Sequence, residues 1–127
     1  MPGTYLTTAH WTAELYQAID SKDTRRFLSF LTDDARFQYG NHTPAIGSVA
    51  IGTAVDGFFS SIRASHHDIL NNWEPQGHLI SQGMVSYTRL DGGTVTLPFV
   101  NVFAMRDKLV RDYMIYVDAT PLYAPAI

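Results

Sequence analysis

Two side chains break otherwise apolar strand-like runs, and both belong to types that move protons or fix hydrogen bonds. Asn101 interrupts residues 94–105, TVTLPFVNVFAM. Its odd positions are Leu97, Phe99, Asn101, Phe103 and Met105; its even positions are Pro98, Val100, Val102 and Ala104. As a strand, this stretch is apolar on both faces and has to be covered on both. An amide among Leu and Phe needs a partner, because burying it unpaired costs about 1–3 kcal/mol. That partner is either a neighbouring side chain or a ligand. His67 lies in HHDILNNW, where alternation sets His67, Ile69, Asn71 and Trp73 on one face. That face looks inward if Ile69 and Trp73 are core. Imidazole, with an ordinary pKa of about 6.5, is the side chain best suited to act as a general base near neutral pH. Such a base in an apolar site abstracts a proton α to a carbonyl or β to a leaving group, while Tyr16, Tyr39 and Asn101 polarise the carbonyl or assist departure of the leaving group. Duller readings stand beside these. Asp20 can cap the loop before a second helix. Tyr16 and Tyr39 can be core rings with a wet hydroxyl, and Asn101 can bond only to a neighbouring strand. His66, His67 and Asp68 are poor co-ligands for a metal, since adjacent strand residues point to opposite faces. No metal and no cofactor are expected.

The elements that must position these groups follow from periodicity. Residues 7–21 read as a helix with Trp11, Leu15, Ala18 and Ile19 in an apolar stripe, Tyr16 flanking it and Thr7 or Thr8 capping its start. Asp23 caps a second helix over 24–31, which buries Phe27, Leu28, Phe30 and Leu31 and ends at Thr32-Asp33-Asp34, read as solvated turn residues. A short strand follows at 35–39, then a turn cluster at 40–44. A third helix spans about 48–64, with Ser48 as N-cap and Val49, Ile51, Val55, Phe58, Phe59 and Ile62 on its apolar face. Strands then run over 66–74, 78–90, 94–105 and 109–118. Asp91-Gly92-Gly93 and Arg106-Asp107-Lys108 form the hairpin turns between the last three. A loose tail begins at Pro121. Helices followed by antiparallel strands predict an α+β domain with its helices on one face of a curved sheet. The other face, with Met84, Val100, Val102, Met114 and Tyr116, then needs a second copy of the chain, so a homodimer is expected.

Composition narrows the function classes. The chain has 127 residues, enough for one domain with a real core. Hydrophobic content of 46% and charged content of 17% describe an ordinary folded protein. A net charge of −3 argues against nucleic-acid binding, which needs clustered Lys and Arg. There is no cysteine, so disulfides, thiol nucleophiles and thiolate metal sites are excluded. The first residues lack a basic segment followed by an apolar run, and no stretch is apolar for 18 residues, so a cytoplasmic protein without membrane contact is expected.

Several motifs together resemble the SnoaL-like domains of the nuclear transport factor 2-like superfamily. They are YQAIDSKD, FLSFLTDDARFQYG and G-x-x-A-I before FF, then H-x-I-x-x-x-W, G-x-V-x-Y-x-R-x-D-G, LPFVNVF and a final Y-x-x-Y-x-D. The resemblance runs from about residue 6 to 122 of a single domain. It implies a cone-like α+β barrel: three N-terminal helices against a strongly curved, mostly antiparallel mixed sheet around an apolar pocket. The superfamily includes ketosteroid isomerases, limonene epoxide hydrolases, scytalone dehydratase and polyketide cyclases. The isomerase pattern is kept in part. Its base would fall near Tyr39, its oxyanion acid at Asn101 and its tyrosine at Leu15. The epoxide hydrolase constellation would fall near Ser86, Met84 and Ile115, which cannot carry it. The dehydratase pattern implies an Asp20–His67 pair, Tyr39 binding substrate through water and Asn101 contacting substrate. Its second histidine would fall near Tyr87 to Arg89, and its serine at Phe99.

Together these readings predict a cofactor-independent lyase or isomerase acting on a small, largely apolar molecule. Asp20 and His67 would be catalytic, and Tyr16, Tyr39, Asn101, Trp73, Phe59, Phe99, Phe103 and Tyr113 would line the pocket. The alternatives are a module that binds a hydrophobic ligand without chemistry, or a dimeric scaffold with a vestigial pocket.

Overall fold

The structure, a computed structural model, describes residues 2–123. Helix α1 (Pro2–Asp20) leads into α2 (Thr24–Leu28), β1 (Leu31–Tyr39), β2 (Ala45–Ile46) and α3 (Ser48–Ser61). Strands β3 (Ile62–Trp73), β4 (His78–Arg89), β5 (Thr94–Arg106) and β6 (Leu109–Val117) follow, and α4 (Thr120–Tyr123) closes the described chain. The six strands form one sheet in the order β2-β1-β6-β5-β4-β3. β1 runs parallel to β6, and every other pair is antiparallel. The sheet stays open, with β2 and β3 at its edges. This is the expected α+β cone, with the ladder left unclosed.

The core lies on one face of the sheet. Leu79, Ser81, Val85 and Tyr87 of β4 alternate inward, as do Leu97, Phe99, Asn101 and Phe103 of β5. Against them α1 buries Thr12, Leu15, Tyr16 and Ala18, with Trp11 and Ile19 at the margin. α3 adds Ile51, Val55 and Phe59. Asp23 caps α2 as expected, its Oδ1 accepting from the Arg26 amide at 3.0 Å.

Several local expectations are corrected. α1 starts at Pro2, so Thr7 and Thr8 lie inside the helix and do not cap it. Thr32-Asp33-Asp34 belongs to β1. The Asp34 carboxylate ties to Arg106 at 2.5 Å and accepts from Thr32 at 2.9 Å. α3 ends at Ser61, because Ile62 is extended (φ −130°, ψ 156°) and pairs with Arg89 on β4. Its N-cap is Gly47 at φ 89°, a conformation that favours glycine, and Ser48 makes no cap bond. Val49 stands 85% exposed and leaves the apolar face. The tail predicted from Pro121 begins as α4, which buries Leu122; residues 124–127 lie outside the described chain.

One irregularity decides which residues face inward. β3 bulges between Ile69 and Asn71, where the register moves from Ile69 opposite Gly83 to Asn71 opposite Gln82. An extra residue in one strand reverses the faces beyond it. Asn72 therefore turns in, opposite buried Ser81, and Trp73 turns out, half exposed. The close crossing needs Gly83: a Cβ there would meet the Asp68 carbonyl oxygen at 2.1 Å.

Candidate active site

Asp20 is the last residue of α1, and the chain turns sharply behind it. Lys22 adopts φ 58°, its amide bonds to the Ile19 carbonyl, and the Asp23 amide reaches back to the Ala18 carbonyl. These two bonds are the Schellman closure of a helix C-terminus. A carboxylate here meets the negative end of the helix dipole, an unfavourable place for it. It is held there by β3. Oδ1 accepts from the Ser65 hydroxyl at 2.7 Å and lies 2.6 Å from His67 Nδ1. Oδ2 accepts from the His67 amide at 2.9 Å. Burial opposes ionisation of Asp20, but the His67 ring and amide and the Ser65 hydroxyl outweigh it and hold the carboxyl below its ordinary range. The loop-capping reading of Asp20 is thus replaced by a bond to the strand histidine.

The ring of His67 is 9% exposed and packed between aromatic faces. Tyr16 stacks on it with centroids 5.0 Å apart, and Phe99 meets it edge-on at 5.5 Å. With Nδ1 directed at Asp20, the proton of the neutral ring lies on that nitrogen. The lone pair is then on Nε2.

His67 lines a cavity of about 450 Å³ between the sheet and α3. Tyr39, Asn101, Phe59, Phe99 and Tyr113 line it too, along with Phe37, Phe58 and Val85. Tyr123 from α4 and His42 from the β1–β2 turn border it and also border a groove of about 600 Å³ beside it. Three of the expected pocket residues lie elsewhere. Trp73 is turned out by the bulge. Phe103 is fully buried beneath Trp11 and Tyr113. Tyr16 lies behind Asn101 and accepts its Nδ2 hydrogen bond at 2.9 Å. Burial pushes the Tyr16 phenol up to about 12 against the opposing bonds of Ser81 and Asn101, so it is neutral.

Sequence reasoning missed Tyr87. Its hydroxyl stands 3.2 Å from that of Tyr39 across the cavity, with the Phe58 ring against both. Two hydroxyls that share one hydrogen bond leave one O–H free for a ligand. Burial raises the Tyr39 phenol to about 12 and the Tyr87 phenol further still, so both stay protonated donors near neutral pH. The alternation Leu79, Ser81, Gly83, Val85, Tyr87 was the available signal, since it places Tyr87 on the core face. Among the described residues no group of three or more His, Asp or Glu side chains is disposed to hold a metal. No helix there is long and apolar enough to cross a membrane.

A comparison with protein families matches residues 12–113 to the SnoaL-like domain. The chain belongs to the SnoaL-like domain family. Among solved structures, this SnoaL-like domain is similar to an NTF2-like protein of unknown function from Burkholderia pseudomallei K96243, with 16% identity over 91% of this chain and 93% of that one and a TM-score of 0.82. TerC, co-crystallised with polyporic acid, shares 19% identity over 91% and 95% of the two chains, with a TM-score of 0.79. An LEH-like epoxide hydrolase from M. tuberculosis shares 12% identity over 88% and 83%, with a TM-score of 0.74. At these identities the likeness concerns the fold. No curated protein matches the chain.

Proposed function

We propose that this SnoaL-like domain is a cofactor-independent lyase or isomerase that acts on a small, largely apolar carbonyl compound. The observation that carries this reading is the His67 Nδ1–Asp20 Oδ1 contact of 2.6 Å at the wall of an apolar cavity of about 450 Å³. Nε2 of His67 takes a proton from the carbon next to the carbonyl. Asp20 stabilises the imidazolium that forms and keeps the ring oriented. The free hydroxyl of the Tyr39–Tyr87 pair donates to the carbonyl oxygen as it gains enolate charge. In a lyase reaction the imidazolium then returns its proton to a β-hydroxyl, which departs as water and leaves a conjugated enone. In an isomerase reaction the same proton returns to a different carbon. One base serves both courses, and the cavity is mostly apolar, which keeps water away from the enolate.

The epoxide-hydrolysing relative does not redirect this reading. The corresponding positions Ser86, Met84 and Ile115 offer no carboxylate–guanidinium set. The test is dehydration of 4-hydroxy-4-phenylbutan-2-one, followed by the ultraviolet absorbance of its enone. Turnover by the parent and a loss on the order of 10²–10⁴-fold in His67→Ala are expected. Equal rates in both would remove the histidine from the chemistry.

A further inference from the structure

Ser65 and His67 stand two apart on β3 and face the same way, and both reach one atom, Asp20 Oδ1. The Ser65 hydroxyl donates to it at 2.7 Å, and His67 Nδ1 lies 2.6 Å from it. The other carboxylate oxygen accepts from the His67 amide at 2.9 Å. The ring and the amide of His67 already grip both oxygens, so the serine adds little to the placement of the carboxylate plane. What it changes is the charge that Oδ1 offers to the ring. An oxygen shared between two donors bonds each less strongly than it would bond one alone. The imidazolium draws on that charge more than the neutral ring does. Sharing Oδ1 with Ser65 therefore works against the imidazolium and leaves the Nε2 lone pair available.

The surroundings give this division its weight. A carboxylate at 2.6 Å favours the charged ring, and a base that already holds its proton cannot take another. From α1 the ring meets Asp20 and Tyr16, from β5 Phe99, and from β4 Val85, its partner in register. His66 and Asp68 point to the opposite face of β3. Lys22, two residues past Asp20, spends its ammonium on the Ile62 carbonyl at 2.7 Å. Across the cavity, burial keeps the Tyr39 and Tyr87 phenols protonated. Asp20 is the one anion in this set, so whatever draws on Asp20 bears on the state of His67.

We infer that Ser65 is a positioning residue for the proposed base: by sharing Asp20 Oδ1 with the ring, it keeps the His67 Nε2 lone pair free at neutral pH. This rests on His67 being the base, as proposed above, and adds to the pair a third member from the histidine's own strand.

The test uses the full chain as parent, Ser65→Ala and Ser65→Thr. The first readout needs no substrate: the ring nitrogens of His67 are followed through a pH titration in histidine-labelled protein. In Ser65→Ala the midpoint should rise by about half a pH unit, a part of one hydrogen bond's worth. The Nδ1 proton should move downfield as its bond to Oδ1 strengthens. Ser65→Thr keeps the hydroxyl and should restore the parent's midpoint. The second readout is the rate on the β-hydroxy ketone across pH. The acid limb should move up by the same amount in Ser65→Ala, with the alkaline plateau at or above the parent's. A merely structural serine would instead lower the rate by one factor at every pH and leave the midpoint in place. A midpoint that is unmoved or lowered in Ser65→Ala, or an alanine effect that threonine does not reverse, overturns the inference. If the alanine variant does not fold, Ser65→Cys, whose thiol is a weak donor, carries the same comparison. A raised midpoint in a protein without turnover upholds the sharing and refutes the proposed chemistry alone. Turnover with an unmoved midpoint refutes this inference alone.

Discussion

Asp20 grips His67 at two points, with Oδ1 at the ring Nδ1 and Oδ2 at the backbone amide. The ring can neither swing away from the carboxylate nor slide along β3 without losing one of these bonds. Asp20→Asn keeps the shape but replaces one accepting oxygen with a donor. Turnover should fall by about 10²-fold or more, in line with what a positioned base contributes. The Nδ1-protonated tautomer should also lose its dominance in ¹⁵N spectra of the ring. An unchanged tautomer and rate would mean that Asp20 serves only to tie α1 to β3.

The same contact sets an acid response. The folded-state pKa of Asp20 is lowered relative to the unfolded chain. A depressed carboxyl contributes stability above its unfolded pKa, and that stability drains away as pH falls through the folded value. Urea melts of the parent should therefore weaken from about pH 4 downward more steeply than those of Asp20→Asn. Parallel curves for the two proteins would show that the pair is not linked to folding.

The paired phenols make a prediction about additivity. Tyr39→Phe and Tyr87→Phe each leave one hydroxyl that can still donate, because the bond between them is removed as well. Each single variant should lose less rate than its share of the double. The double should approach the 10²–10³-fold cost, to order of magnitude, of losing an oxyanion donor. Steady-state rates on the same ketone decide it, and a single variant as slow as the double would assign the whole role to one ring.

Gly83 is a structural test of the bulge. Adding a methyl group forces β3 and β4 apart beside Asp68, one residue from His67. Gly83→Ala should destabilise the fold by about 1–3 kcal/mol as an overpacked contact. Turnover should drop beyond what unfolding explains, as judged from denaturant melts and rates on the same samples.

The outer sheet face carries the homodimer proposal. Leu70, Trp73 and Tyr116 are each at least half exposed there, and Val100, Val102 and Met114 lie partly open between them. A charge at its centre, Val102→Asp, should convert a dimer to a monomer in analytical ultracentrifugation and leave the circular dichroism intact. A parent that sediments as a monomer would end the proposal.

Much of this arrangement could be read from local patterns. The α1 stripe, the doubly apolar β5 and the turns at 91–93 and 106–108 follow from periodicity and turn chemistry. The start of β1 could not be read that way, because Thr-Asp-Asp favours turns in isolation. It is drawn into β1 between the pairings of Leu31 with Val110 and of Arg36 with Asp112 on β6, with Asp34 tied to Arg106. Trp73 was misplaced for a related reason. Strict alternation fails at a bulge, and that bulge depends on Gly83 in the next strand, β4. The Asp20–His67 pair came from family likeness, since nothing local brings residues 20 and 67 together. Tyr87 was within reach of alternation, had the core face of β4 been followed to its end.

His67, the proposed base, and Asn101, the buried amide of the cavity wall, rest on different parts of the sheet. His67 and Ser65 come from β3, an edge strand that pairs on one side, and Asp20 reaches them from a helix end. Asn101 stands in β5, held from both flanks and wired to α1 through Tyr16 and through Ser81, Asn72 and Thr12. Mutational drift on the edge strand can therefore alter the proposed base while the interior wall of the cavity stays in place. A lineage built on this frame has a route to a different group at the edge that does not require it to rebuild the pocket.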